Sequence, residues 1–448
     1  MSGNGELSAQ EIIRLNREYT LFSWSVQNAT NPVPVSHGEG VYFWDVDGHR
    51  YLDFSSQLMN VNIGHGNKKV IRAIQEQAEK LAFIQPAFAT DVRGIAGQKI
   101  SEVTGLKKTF FTLGGAEAVE NAMKLARLAT GRQKIVSRYR AYHGATFATG
   151  TAGGDPRGIP NEPGVPWVRH VHDPYRYRCL FCRDLPECNL MCEMHIEETI
   201  RLEGPHTVAA VLLEGVNGTS GIIYPPRNRE YWQRLRQFCD EHGILIIADE
   251  VMSGWGRTGK WFGFEHGGIK PDIIATAKGL TCGYVPLGAT IVSEKIADYF
   301  EDKMLYAGLT YSSHPVSCAA ASACIDVYKE EHLIENTVAM EPVMEREMQG
   351  LMERHPSVGE YRGMGLFYVI EVVKNRETRE PMTPQSGTLN EPMAKLAGYL
   401  RQRGMSTFVR WNWIFAVPPL CITEEQIEEG MQIIDEALEI TDDYYQGD

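Results

Sequence analysis

The chain has 448 residues, 43% hydrophobic, 10% aromatic and 23% charged, and 44 basic against 57 acidic residues leave a net charge of −13. That length asks for two domains, and the acidic balance excludes the broad basic face of a nucleic-acid binder; the local cluster Arg138, Arg140, Arg176, Arg178 and Arg183 reads as solvated charge. No run is long enough to span a membrane, MSGNGELSAQ lacks the features of a secretory signal, and nine cysteines without one suit free thiols in a reducing, cytoplasmic compartment.

Glu11 to Tyr19 carries apolar residues at helical spacing and predicts a short amphipathic helix. Phe22 and Trp24 follow, two large aromatics on what reads as an arm. Gly38 to Asp53 alternates around the Asp47-Gly48 turn and predicts a β-hairpin. Ile63-Gly64-His65-Gly66 then leads to a helix over Lys69 to Leu81.

Thr109 to Leu113 reads as a strand entering the turn Gly114-Gly115, with a helix leaving from Ala116. The free N–H groups and dipole of such a helix start favour a phosphate, although a plain tight turn has the same appearance. Ile135-Val136-Ser137 predicts the next strand, ahead of Tyr142-His143-Gly144.

Cys179, Cys182, Cys188 and Cys192, in the pattern C-x2-C-x5-C-x3-C with His195 just beyond, are the strongest rival signal. Four thiolates can close a tetrahedral zinc site, but five residues between the pairs leave little room, so no metal is expected and free thiols are the favoured state.

Val208 to Leu213 is a buried strand ending at Glu214, and Gln233 to His242 a crossover helix. Two apolar runs then carry the chemistry. Ile244 to Ala248 ends in Asp249-Glu250, and Ile273 to Ala277 ends in Lys278-Gly279. The carboxyl ends of parallel strands line the ligand crevice, so Asp249 and Lys278 can face one small molecule. A lysine in an apolar setting is held neutral and can attack an aldehyde; pyridoxal phosphate fits, with an aspartate keeping its ring nitrogen protonated. Helices over Pro315 to Tyr328 and Thr337 to Glu353, a strand near Leu366 to Val373 and an acidic, frayed tail over Glu439 to Asp448 complete the reading.

The run Asp249-Glu250-Val251-Met252-Ser253-Gly254-Trp255-Gly256-Arg257-Thr258-Gly259, with Pro271-Asp272-Ile273-Ile274 and Ala277-Lys278-Gly279, resembles the signature of class III (ω-) aminotransferases, and the likeness extends from about Glu39 to Pro419. The resemblance implies the α/β fold of a fold-type I pyridoxal phosphate transferase: a large domain with a mostly parallel, seven-stranded-type sheet between helices and a smaller α/β domain from both chain ends. The boundaries expected are 1–66 for the arm and part of the small domain, 67–318 for the large domain and 319–448 for the rest of the small one.

By the same resemblance Lys278 carries the cofactor, Asp249 pairs with its ring nitrogen, and Gly115 and Ala116 hold its phosphate, with Ala116 standing where relatives usually have Ser or Thr. Tyr142, beside His143, and Val251 clamp the ring; Glu214 supports the network; Thr310 completes the phosphate site of a neighbouring subunit, which implies a homodimer. Phe22, Trp24, Leu58 and Arg410 border the substrate. Taurine–pyruvate-type members share a Cys-bearing insertion, and Met252 replaces the Gln of many 2-oxoglutarate users. The expected reaction moves an amino group from a taurine- or β-alanine-like donor to a 2-oxo acid, pyruvate first. The alternatives are a decarboxylase or aminomutase of the same fold, or a non-catalytic regulator that senses metal or ligand through the Cys insert.

Overall fold

The computed structural model describes residues 7–447; Met1 to Glu6 of the N-terminal stretch and Asp448 of the acidic tail lie outside the described residues. At its centre is a seven-stranded sheet in the order Lys108–Thr112, Gly288–Val292, Ile273–Thr276, Leu245–Asp249, Val208–Glu214, Lys134–Arg138, Val168–Val171. Gly288–Val292 runs antiparallel to both its neighbours. The remaining pairs are parallel.

Every residue of Val208–Glu214 and Leu245–Asp249 is buried, as a sheet covered on both faces requires. Alternate residues serve opposite faces. Ala210, Leu212 and Ile247 pack with Ala118, Ala122 and Leu125 of the helix Gly115–Thr130. Val211, Leu213 and Ile246 pack with Tyr231, Leu235 and Ile196 of the helices Asn228–His242 and Met191–Glu203.

Both chain regions flanking this sheet build smaller ones. Met405–Ser406 adds in parallel to Arg50–Asp53, the last strand of a meander that begins at Val35–Glu39 and Tyr42–Asp45. A five-stranded sheet from Val358–Met364 to Trp413–Ala416 includes Val409–Arg410.

One expectation is corrected. The tail does not fray at Glu439, because the helix Glu424–Asp442 continues through it. Thr441 is buried, and Asp442 accepts from Ser357 and pairs with His355 at 2.7 Å, which anchors the last turn.

Candidate active site

The sheet register brings the acidic strand ends together: Glu214 lies opposite Asp249, and Asp249 opposite Ala275, so Lys278 emerges at the same edge a few residues on. Lys278 is at φ +42°, and its Nζ donates to the carbonyl of Leu58 at 2.9 Å. Burial lowers its pKa to about 8; Asp249 opposes that shift and the charge of Arg157 adds to it. At that value about a tenth of the amine is neutral near pH 7, against well under a thousandth for an ordinary lysine.

Asp249 is buried, with one partner on each oxygen and acceptor capacity to spare. Its Oδ1 accepts the Val251 N–H at 3.0 Å and its Oδ2 lies 2.7 Å from His143 Nδ1. A carboxylate only accepts, so the Nδ1 of His143 carries the proton, and the Ser137 hydroxyl meets its Nε2 at 3.0 Å. Burial pushes Glu214 up to about 7, and it accepts the backbone N–H of Gly218 at 2.7 Å and of Tyr142 at 3.4 Å.

The residues fit pyridoxal phosphate. The helix Gly115–Thr130 begins with no side-chain cap, and the space beside Gly114 is open, so its first N–H groups are left for a phosphate. A Cβ on Gly115 would stand 3.0 Å from Val251 Cγ1. That contact places Val251 against the turn, and a Cβ on Gly144 would strike Ala116 at 2.6 Å. The lowered amine, the acceptor carboxylate and the bare helix start answer to an aldehyde, a protonated ring nitrogen and a phosphate.

Leu58 reaches Lys278 through an unusual backbone. Ser56, Gln57, Leu58 and Met59 all have positive φ, from 45° to 67°, a left-handed turn that side-chain residues disfavour. It is held from outside. Asp53 Oδ1 accepts the N–H groups of Ser55 and Gln57, and Ser56 Oγ donates to Val417 O at 2.7 Å while accepting from Arg257. Arg257 is fully buried with four oxygen acceptors, none a carboxylate, and burial lowers it to about 10.

The mouth of the site is aromatic and basic. Trp24 meets Tyr142 edge-on at 5.8 Å, and the Arg157 guanidinium lies 3.8 Å over the Tyr142 ring. Arg157 and Arg410 both donate to Asp155, and both reach Thr219. Phe22 lies in a turn closed by Gln27 and makes no ring contact with Tyr142 among the described residues. Thr310 is exposed on the loop before the helix Pro315–Glu330, and its hydroxyl makes no hydrogen bond among the described residues. Sequence reasoning missed Arg157, Asp155 and Ser137. The first two sit in Gly153-Gly154-Asp155-Pro156-Arg157, which reads as a turn.

The four cysteines of the insert are buried and free. Burial, with Cys179 and Cys188 alongside, pushes Cys182 up to about 12. Among the described residues no three of their sulfurs lie within 4.8 Å of one another. The His195 ring lies 5.3 Å from that of His172 and 5.6 Å from that of Phe181, within the insert.

Sheet, lysine and carboxylate define the class: a pyridoxal phosphate enzyme of fold type I. The family description "Aminotransferase class-III" matches residues 24–438. The chain is 34% identical to the taurine–pyruvate aminotransferase of Bilophila wadsworthia, over 96% of this chain and 97% of that one. It is 33% identical to the putrescine–pyruvate aminotransferase of Pseudomonas aeruginosa, over 91% and 90%. The crystal structure of taurine:2-oxoglutarate aminotransferase from Bifidobacterium kashiwanohense, in complex with pyridoxal phosphate and glutamate, superposes with a TM-score of 0.93 at 40% identity, covering 98% and 99% of the two chains. The chain belongs to the class III aminotransferases and is a pyridoxal phosphate-dependent enzyme that moves amino groups. No helix among the described residues is long and apolar enough to cross a membrane.

Proposed function

We propose that the enzyme takes an amino group from an ω-amino acid or primary amine of the taurine or β-alanine kind and delivers it to a 2-oxo acid, pyruvate, in a ping-pong cycle. The observation that carries the substrate class is the pair of guanidinium groups, Arg157 and Arg410, beside Tyr142 and Trp24. They suit an anionic group on the far end of a small amine. Met252, buried where a polar reach to the cofactor is expected of many 2-oxoglutarate users, supports pyruvate. The relatives named for taurine support a donor with an anionic end, and those named for pyruvate support that acceptor.

Pyridoxal phosphate, when bound, supplies an electron-accepting ring that loosens a bond at the amine-bearing carbon. The chain does the rest. Lys278 Nζ would hold the cofactor and, when free, would take a proton from the donor's amine-bearing carbon and, in the other half of the cycle, deliver one to the acceptor's carbonyl carbon. Asp249, oriented by His143 at its Oδ2, would face the ring nitrogen. Gly115 and Ala116 would hold the phosphate through their backbone N–H groups, and Tyr142 and Val251 would hold the ring. Orientation of the breaking bond follows from that clamp. Thr310, exposed and without a hydrogen bond among the described residues, would reach the phosphate site of a second copy in a homodimer. Nine free cysteines support a reducing, cytoplasmic setting.

The test is the visible spectrum of the purified protein, before and after taurine or β-alanine without any keto acid, and again after pyruvate. A cofactor band that fades with the amine and returns with pyruvate is expected. A protein that forms no such band after incubation with pyridoxal phosphate overturns the reading.

A further inference from the structure

Two guanidinium groups share one carboxylate at the mouth of the site. Asp155 Oδ2 accepts from Arg157 Nε at 3.0 Å, from Arg157 Nη2, and from Arg410 Nη2 at 3.1 Å. Its Oδ1 accepts the Arg157 backbone N–H at 2.9 Å, which starts the short turn Pro156–Asn161. The Thr219 hydroxyl accepts from Arg157 and the Thr219 carbonyl from Arg410, both at 2.7 Å. Among the described residues no second carboxylate pairs with either arginine. Two positive charges and one negative therefore leave a net charge of +1.

Both guanidinium groups also rest on neutral rings, and the neighbouring Arg140 and Arg178 are each paired with a carboxylate of their own, Asp173 and Glu371. Arg157 lies over Tyr142 and within 5.8 Å of Trp24, and Arg410 lies 4.0 Å over Trp411. The trio is partly dry as well: side-chain exposure is 4% for Asp155, 19% for Arg157 and 11% for Arg410. Charges there are screened less than at the surface, so the count of charges matters to what binds.

We propose that Asp155 is a specificity-determining residue that sets how many anionic groups the site accepts at once, holding it to one. A net charge of +1 is neutralised by one sulfonate of an ω-amino donor or by the single carboxylate of pyruvate. A dianionic acceptor such as 2-oxoglutarate brings a second carboxylate into a site whose second positive charge Asp155 already occupies. The inference rests on the aminotransferase reading of this site given above. It adds the residue that sorts monoanionic from dianionic acceptors, a distinction on which the named relatives themselves divide.

The experiment compares kcat/KM for pyruvate and for 2-oxoglutarate, with one amine donor, in the wild-type holoenzyme and in Asp155→Asn. Asn keeps the oxygen that starts the turn and nearly the same volume; it removes the charge and replaces the Oδ2 acceptor with an N–H2 group that can hold neither guanidinium. The ratio of 2-oxoglutarate to pyruvate is expected to rise about ten-fold, chiefly through a lower KM for the dianion. Asp155→Glu, which keeps the charge, is expected to leave the ratio near the wild-type value. If Asp155→Asn fails to fold, Thr219→Asp carries the count to zero and is expected to lower the same ratio. An unchanged ratio, a shift towards pyruvate in Asp155→Asn, or equal shifts in the Asn and Glu variants overturns the proposal. A wild-type enzyme that transfers no amino group from any amine donor overturns the functional reading instead, so the two failures are distinct.

Discussion

His143 Nδ1 lies 2.7 Å from Asp249 Oδ2, and both side chains are out of reach of water. Asp249 can act on a ring nitrogen only while it stays charged and correctly turned. His143 fixes the turn through Oδ2, and the Val251 N–H fixes it through Oδ1. Asp249→Asn is expected to slow the half-reaction with the amine donor by about a hundred-fold or more, since it removes a preorganised charge where charge develops. His143→Gln, which leaves the carboxylate but loses the imidazole, is expected to fall between that variant and the wild type. Single-turnover rates of cofactor bleaching measure both. Equal, near wild-type rates would remove Asp249 from the chemistry.

Glu250 follows Asp249 in the sequence yet faces the opposite way, into the fold. Its Oε1 accepts the Phe264 N–H at 2.8 Å; its Oε2 accepts the Gly263 N–H at 2.8 Å and the Ser253 hydroxyl at 2.7 Å. Both oxygens therefore meet backbone donors. In Glu250→Gln any rotamer points an N–H at a backbone N–H in the dry interior, so the variant is expected to lose about 1–3 kcal/mol of stability. Chemical denaturation of the holoenzyme measures the loss. A variant as stable as the wild type would show that the three donors find other partners.

That contrast marks what the sequence discloses. Asp249 and Lys278 are legible because a charged residue at the end of an all-apolar strand has few structural reasons to be there. Glu250 is equally visible, but the backbone donors it accepts from lie across a loop, and nothing in a strand-end pattern says so. The left-handed turn at Ser56 to Met59 is unreadable for a deeper reason: local preference argues against it, and Asp53, Val417 and Arg257 impose it from elsewhere in the chain. Asp155 and Arg157 hide in a segment whose Gly and Pro content predicts a turn, which is also what they form. The tail after Glu439 looked frayed because acidity is visible in sequence, whereas the anchoring of Asp442 by His355 and Ser357 is tertiary.

Arg410 is pinned by Asp155 and the Thr219 carbonyl, and burial beside Arg157 lowers it to about 10, so it is a cation short of counter-charge. Arg410→Leu is expected to raise KM for taurine or β-alanine by about ten- to hundred-fold, the worth of a charged hydrogen bond, with a smaller change in kcat. For a primary amine with no anionic group the same variant is expected to be as good as the wild type or better, because a bare charge no longer has to be desolvated against an apolar substrate. Steady-state kinetics with both kinds of donor measure this. Parallel losses on both would show that Arg410 only braces the strand Val409–Arg410.

Lys278 titrates where its chemistry needs it. Burial lowers it from 10.5 to about 8, against the pull of Asp249. An amine attacks an aldehyde only when neutral, and the neutral fraction falls ten-fold for each pH unit below the pKa. The rate of pyridoxal phosphate uptake by the cofactor-free enzyme, followed by absorbance in amine-free buffer, should therefore climb with pH and level off above about 8. The neighbours fix the sign of two further shifts. Arg157→Leu removes a charge that lowers the pKa, so its midpoint should move up; Asp249→Asn removes one that raises it, so its midpoint should move down. Lys278→Ala should form no Lys-bound chromophore and show no turnover at any pH. An uptake rate that keeps rising through the range of an ordinary exposed lysine would mean that the amine is solvated, and that burial at this strand end does not prepare it to react.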